Sequence, residues 1–326
     1  MTEPVSFPSP VTRWGDKRYH SLAFAMRERF GEQVYKLSLN GGMSCPNRDG
    51  TLGYDGCAFC SEGGSGDFAA SSSLSVSSQI AEAKKQIAGK AADCRRFIAY
   101  FQAYSNTYAP VPYLSSLFHE AICREDIAAL SIATRPDCFS SEIYDLLDRL
   151  NREKPLWVDL GFQTMHPSSH RRMNTGFSIE RFEECVRTLY ELHIEVIAHV
   201  MFSLPGETPE DMLSSVKYLA HLPIDGVKLQ MLHVLKNTAL GKDYEKAPFP
   251  LLSMDEYTSL IVSALEYLPP QVVIHRLTGD GPRQLLLAPQ WTLHKKQVLN
   301  MISHKQKQLN SYQGKEVTNG RTKYDI

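Results

Sequence analysis

Apolar runs of strand length alternate with longer stretches of helical periodicity along most of the chain. Residues 34–39, 96–103, 130–134, 156–164, 195–204, 226–235 and 272–277 are rich in Val, Ile, Leu and aromatics and are bounded by Gly, Pro or Asn, which predicts strands. Between them, residues 74–88, 111–123, 140–152, 179–193, 208–221 and 253–267 repeat their apolar positions with helical spacing. Ser178 and Thr208 are placed as N-caps, the latter ahead of Pro209 at the first helical position. Repeated strand–helix alternation predicts a parallel sheet with right-handed crossovers. Six or seven such units would close, or nearly close, into a barrel whose active site lies at the C-terminal ends of its strands. No internal repeat interrupts this order. Gly63-Gly64-Ser65-Gly66 and Ser71-Ser72-Ser73 read as loops rather than linkers, so one domain with tails is expected.

Composition changes the picture little. The chain has 326 residues, 43% hydrophobic and 22% charged, enough for a large buried core. Its net charge of −1 excludes a uniformly basic nucleic-acid coat. Charge is uneven, however: residues 291–326 carry seven Lys or Arg against Glu316 and Asp325. A basic tail suits a polyanion partner, or simply a solvated helix and a frayed end. No apolar stretch is long enough for a transmembrane helix, and Met1–Pro10 lacks the apolar region of a secretory signal. A cytoplasmic location is therefore expected, with no membrane partner. In that reducing setting the seven cysteines point to metal or redox roles rather than disulfides.

Three of those cysteines are grouped. Cys45, Cys57 and Cys60 stand in the spacing Cys-x11-Cys-x2-Cys directly after the first predicted strand. The pair Cys57–Cys60 forms a knuckle that can offer two thiolates to one centre. Cys45 reaches it over a loop with Pro46, Asn47, Gly50, Gly53 and Gly56, which supply the bends. Two chemistries compete. A structural zinc wants a fourth protein ligand, and no Cys or His follows closely. Three thiolates suit a [4Fe–4S] cluster with one iron left open. Cys94, Cys123, Cys138 and Cys185 are isolated and read as small core residues.

The cysteine motif, with Phe59 before its last member, resembles the radical S-adenosylmethionine (SAM) superfamily in its long-spacing variant, similar to the radical-SAM core of the Elongator catalytic subunit. Further segments extend the likeness: Ala133-Thr134-Arg135-Pro136-Asp137, Val158-Asp159-Leu160-Gly161-Phe162-Gln163-Thr164, and His199-Val200-Met201-Phe202-Ser203-Leu204-Pro205-Gly206. Together with Phe101-Gln102-Ala103-Tyr104 and His275-Arg276-Leu277-Thr278-Gly279-Asp280, the order resembles a stand-alone Elongator-like subfamily. The resemblance implies an α/β fold, a partial (β/α)6-type TIM barrel with a C-terminal helical extension. It divides the chain into an N-terminal extension (1–29), a radical SAM core barrel (30–285) and a basic C-terminal helix and tail (286–326).

The resemblance also implies cofactors: a [4Fe–4S] cluster on Cys45, Cys57 and Cys60, and SAM bound at its open iron. Such enzymes carry a Gly-Gly-Glu-type segment after the second strand. Here Gln102, Ser105 and Asn106 offer neutral hydrogen-bonding groups in its place. Gln163 could reach the ribose, and Phe59 could pack beside adenine. Arg135 either pairs with Asp137 at the barrel mouth or grips a carboxylate or phosphate of SAM or substrate. Lys228 and His233 differ by five positions, so in an ideal strand they point to opposite faces and at most one need enter the barrel. His166, His170, Arg171 and Arg172 form a basic turn that could meet phosphates or only solvent.

These readings converge on a radical SAM enzyme acting on tRNA, on the C5 side chain of a wobble uridine, for example carboxymethylaminomethyl to aminomethyl. An electron donor such as flavodoxin or ferredoxin is implied. The sequence length past residue 285 is too short for an acetyltransferase domain, and no preceding cluster-binding domain is present, which disfavours acetyl transfer and methylthiolation. Two alternatives stand beside it: a radical SAM enzyme on a small-molecule or protein substrate, and a zinc-stabilised, non-catalytic RNA-binding module.

Overall fold

Alternating side-chain direction along parallel strands builds this fold. The computed structural model describes residues 14–317 except 65, 68 and 280. The leader reading of Met1–Pro10, Ser65 of the glycine-rich loop, Asp280, and the tail residues Arg321, Lys323 and Asp325 lie outside the described residues.

In chain order the elements are α1 (Leu22–Phe30), β1 (Tyr35–Leu39), α2 (Val76–Ile87), β2 (Phe97–Phe101), α3 (Val111–Ile122), β3 (Ile127–Thr134), α4 (Ser141–Glu153), β4 (Leu156–Gln163), α5 (Pro167–Arg172), α6 (Ile179–Glu191) and β5 (Glu195–Phe202). There follow α7 (Pro209–Leu219), β6 (Gly226–Met231), β7 (Val234–Leu235), α8 (Ala239–Lys246), α9 (Met254–Tyr267), β8 (Val273–Arg276), β9 (Leu286–Ala288) and α10 (Lys295–Gln308). Seven strands form one parallel sheet in the order β1-β2-β3-β4-β5-β6-β8, a partial barrel whose end strands are β1 and β8. All seven strands of the sheet fall on expected runs, β8 on the one at 272–277, and a two-stranded antiparallel β7–β9 ribbon is added.

The alternation is plain on β1. Leu37 and Leu39 face outward and pack with Val76, Ile80 and Ala83 of α2, while Lys36 and Ser38 face the barrel cavity. On β2, Phe101 meets Phe118 of α3 edge-on at 5.1 Å, while Tyr100 turns inward. Ser178 and Thr208 cap α6 and α7 as their spacing predicts, Thr208 in a reciprocal box with Asp211.

Three expectations change. The strand expected over 226–235 breaks after Met231, and Val234–Leu235 pairs instead with β9. Helices α1, α5 and α8 were not legible in the periodicity. The terminal segments are also built into the body. Met26 of α1 joins Val34, Ile98, Ala129, Trp157 and Ile197 in an apolar plug at the N-terminal end of the barrel. Val298 and Ile302 of α10 enter the main core with α9. Gln313 ties the two ends together. Its side chain accepts from the His20 N–H at 2.8 Å and donates to the carbonyls of Pro269 and Val272 at 2.7 and 2.8 Å. Among the described residues no helix is long and apolar enough to cross a membrane.

Candidate metal and cofactor site

The loop after β1 wraps the C-terminal mouth of the barrel and is tied down at several points. Gly50 and Gly56 adopt φ of 92° and 74°, which favours glycine at both turns. The Gly56 N–H donates to the Asn47 carbonyl at 2.8 Å, and the Asn174 side chain donates to the Gly56 carbonyl at 2.9 Å. Arg48 donates to the carbonyls of Cys60 and Ser61 at 2.9 and 2.7 Å. Held this way, Cys45, Cys57 and Cys60 all line one cavity of about 620 Å³, within the size range of cofactor pockets.

The donor set distinguishes the two metal chemistries. Among the described residues, the set of three His, Cys, Asp or Glu donor atoms lying within 4.8 Å of one another is His119, Cys123 and Glu153, on the outer surface. The three cavity sulfurs are not such a set, whereas thiolates about 2.3 Å from one zinc come close together. Separate irons of one cluster do not require the sulfurs to meet so closely. Burial and the neighbouring Cys60 and Cys45 push the Cys57 thiol up to about 12, so the site favours thiolates only when a positive centre compensates them.

Further groups converge on the same sulfur. Asn47 Nδ2 stands 3.5 Å from Cys57 Sγ and also donates to the carbonyls of Asn174 and Thr175 at 2.6 and 3.2 Å. Arg135 spends Nε and Nη2 on the two oxygens of Asp137 at 2.9 and 2.7 Å, and its Nη1 lies 3.8 Å from Cys57 Sγ. Of the two readings of Arg135, the pairing with Asp137 is the one present, and the third nitrogen faces a cysteine.

Phe59, Gln102, Ser105, Arg135 and Gln163 line the cavity with the cysteines. Phe59 packs on the apolar group of Met201, Leu204 and Leu232, and Gln102 accepts from Ser38 at 3.0 Å. Gln163 adopts φ 63°, and its buried Oε1 has no hydrogen-bond partner among the described residues. Asn106 is not among the cavity-lining residues; its amide nitrogen is committed to the carbonyls of Phe101 and Ala133 at 3.1 and 2.8 Å, stitching β2 to β3, and its buried Oδ1 has no partner among the described residues. Lys228 and His233 both line the cavity, against the expectation of one, because β6 ends at Met231 and alternation stops before His233. His170 is buried on Thr164 and Thr175, so it is a packing residue rather than part of an exposed basic turn.

Below the cysteines lies a charged layer in which Asp159 and His199, both within quoted motif segments, meet Lys228 and Lys36. The Asp159 carboxylate meets Lys36 Nζ at 3.1 Å, Lys228 Nζ at 3.0 Å and His199 Nε2 at 3.4 Å, and accepts from Ser131 Oγ at 2.6 Å. Lys228 also donates to the Tyr100 hydroxyl at 3.1 Å. The two ammoniums hold the Asp159 carboxyl well below the usual range, against its burial. Burial, with Lys36 and Arg276 nearby, pushes Lys228 down to about 7, and burial with Lys228 nearby pushes His199 down to about 4. Charged residues in the middle of apolar strands, as Lys36 in Tyr35–Leu39 and Asp159 in Leu156–Gln163, were the signal available.

A family model described as the radical SAM superfamily matches residues 45–219, and one described as the radical SAM C-terminal domain matches residues 224–308. The chain is 41% identical to YtqA of Bacillus subtilis (strain 168) over 315 residues, covering 97% of both. It is 28% identical over 163 residues to a tRNA uridine(34) acetyltransferase of Dehalococcoides mccartyi (strain CBDB1), covering 49% of this chain and 35% of that protein. The archaeal Methanocaldococcus infernus Elp3, solved with an N-terminal deletion, shares the fold with a TM-score of 0.64 at 16% identity, over 86% of this chain and 64% of that one.

Proposed function

We propose that this chain, which belongs to the radical SAM superfamily, remodels the C5 side chain of a tRNA wobble uridine, converting carboxymethylaminomethyl to aminomethyl. It is an enzyme whose cofactors are a [4Fe–4S] cluster and SAM. Cys45, Cys57 and Cys60 hold the cluster, and Gln163, with Gln102, Ser105 and Phe59, faces SAM. Its Elongator-like character rests on the motifs quoted above and on the likeness to a tRNA uridine(34) acetyltransferase.

The observation that carries the substrate is the charged layer under the cysteines. Lys36 and Lys228 share the single carboxylate of Asp159, so the pair of ammoniums exceeds its counter-charge on a wall of the cavity. A substrate that brings its own carboxylate completes that balance and favours the protonated form of Lys228. A neutral or cationic side chain gains nothing there.

When bound, the cluster and SAM supply a 5′-deoxyadenosyl radical able to take a hydrogen atom from an unactivated C–H bond, and an acceptor for the electron that follows. In the proposed substrate the carbon concerned is the methylene between amine and carboxylate. Loss of a hydrogen atom and an electron there leaves an iminium, which water splits, with release of a proton, into the aminomethyl group and a two-carbon oxoacid. The chain's own residues orient the substrate carboxylate on Lys228 and Lys36, and the apolar plug around Met26 and Trp157 closes the cavity from below. Flavodoxin or ferredoxin serves as electron donor in the cytoplasm.

Comparing modified nucleosides in tRNA from deletion and wild-type cells tests this reading. Accumulation of the carboxymethylaminomethyl nucleoside on deletion, reversed by the wild-type gene and not by Cys57→Ala, is expected. Unchanged tRNA nucleosides, with reductive 5′-deoxyadenosine formation by the purified protein intact, would move the substrate to a small molecule or a protein.

A further inference from the structure

Cys57 is set apart from an ordinary cluster ligand by what surrounds its sulfur. An amide N–H of Asn47 lies 3.5 Å from it and a guanidinium N–H of Arg135 lies 3.8 Å from it. The guanidinium is not free to turn away. Its other two donors are locked onto Asp137 in a bidentate fork, the Phe177 ring lies 5.4 Å from its central carbon, and only 8% of the residue is exposed. The segment following α5 is pressed close over this arrangement. A side-chain carbon at Gly176, which sits at φ +79°, would come within 2.8 Å of Asn47 Oδ1 and 3.2 Å of Arg135 Nη2. Three parts of the chain, the cysteine loop, the end of β3 and the segment after α5, therefore meet at one sulfur.

We propose that Arg135, clamped by Asp137, tunes the reduction potential of the cluster through the Cys57 sulfur, rather than gripping SAM or substrate. Adding an electron to an iron–sulfur cluster places negative charge on its sulfurs. N–H donors and positive charge at those sulfurs stabilise the reduced form and raise the potential. The partly buried site keeps water from screening the guanidinium. Asp137 aims the guanidinium, and its negative charge offsets part of the positive one; Asp137→Asn keeps an accepting oxygen for the guanidinium and removes the charge. Arg135 is thus a positioning residue for charge, acting through the cluster. The inference rests on the cluster being held by Cys45, Cys57 and Cys60 as proposed above.

The test is an EPR-monitored redox titration of the anaerobically reconstituted full-length chain, without SAM, in wild type, Arg135→Met, Arg135→Lys and Asp137→Asn, with iron and sulfide content measured for each. The expected result is a lower potential in Arg135→Met, an intermediate value in Arg135→Lys, and a higher potential in Asp137→Asn. Opposite shifts from removing opposite charges are not what loosening of the loop would produce. Equal potentials in wild type and Arg135→Met, or shifts of the same sign in Arg135→Met and Asp137→Asn, would overturn the inference and leave the proposed function standing. A wild-type chain that assembles no cluster would overturn both. If Arg135→Met alone fails to assemble, the shifts in Arg135→Lys and Asp137→Asn decide by the same signs.

Discussion

The ammonium of Lys228 on β6 lies 3.0 Å from the carboxylate of Asp159 on β4, with β5 between their strands. Lys36 reaches the other oxygen of the same carboxylate from β1, so one buried acid joins widely separated strands of the barrel. Removing one partner of a buried pair leaves an uncompensated charge, which costs about 3–5 kcal/mol. Asp159→Asn strands two ammoniums and is expected to lose about that much in urea unfolding of the cofactor-free protein. Lys228→Met leaves Asp159 with Lys36 and is expected to lose clearly less. An Asp159→Asn variant as stable as wild type would show that the barrel does not depend on this network.

Stability is expected to rise with pH in two windows. His199 titrates near 4 when folded against 6.5 when free, because burial and Lys228 oppose its charge. Between those values the unfolded chain binds the proton and the folded one does not. Stability is therefore full above about 6.5 and is lost as pH falls towards 4. His233, also near 4 through burial, acts in the same sense. Lys228 titrates near 7 when folded against 10.5 when free, so stability rises further from about 7 until, near 9, the thiols of Cys57, Cys138 and Cys185, held at about 12 by burial, begin to ionise in the unfolded chain and oppose it. Unfolding midpoints across pH should show both limbs, the lower flattened in His199→Gln and the upper in Lys228→Met.

Single Cys→Ala changes at Cys45, Cys57 and Cys60 should each abolish the cluster's visible absorbance after reconstitution and reduce 5′-deoxyadenosine formation to background. The same change at Cys94 or Cys123, outside the cavity, should leave both intact. Loss of the cluster in those two controls would count against the ligand assignment.

Gln163 lines the cavity, and its buried Oε1 has no hydrogen-bond partner among the described residues. A net hydrogen bond is worth about 1 kcal/mol, so Gln163→Ala should weaken SAM binding roughly five- to tenfold at unchanged iron content. Titrating SAM against the EPR signal of the reduced cluster reads this directly, and an unchanged affinity removes Gln163 from the SAM site.

Gly176→Ala combines a left-handed φ of +79° with a collision at Asn47 Oδ1. Backbone strain of this kind costs about 1–3 kcal/mol. The expected outcome is lower stability together with slower cluster assembly, because the strained segment touches the residues around Cys57. Assembly at the wild-type rate would separate that segment from the site.

Much of this was legible in the chain itself. Cys45, Cys57 and Cys60 share one short loop, so their spacing specifies a common centre before any folding is considered. The strand–helix alternation specified the parallel sheet, because side-chain direction repeats locally and helices cover both-sided apolar strands. The break of the sixth strand after Met231 was hidden, since the run 226–235 stays apolar while its pairing partner, β9, is remote. Helix α1 was hidden because its amphipathic pattern is weak and its burial comes from plugging the barrel end rather than from a continuous face.

What the sequence determined by itself, then, is the local grammar: which segments become strands, which loop carries the thiols, and which face of each strand looks inward. Only the tertiary structure decided which of those inward residues meet. Arg135 and Cys57 are 78 positions apart, and Lys36 and Asp159 are 123 apart. Neither pairing has a periodic signature. Each exists because barrel curvature brings non-neighbouring strands and their loops around one cavity, where burial makes the chosen partner decide the charge and hydrogen bonding of the group.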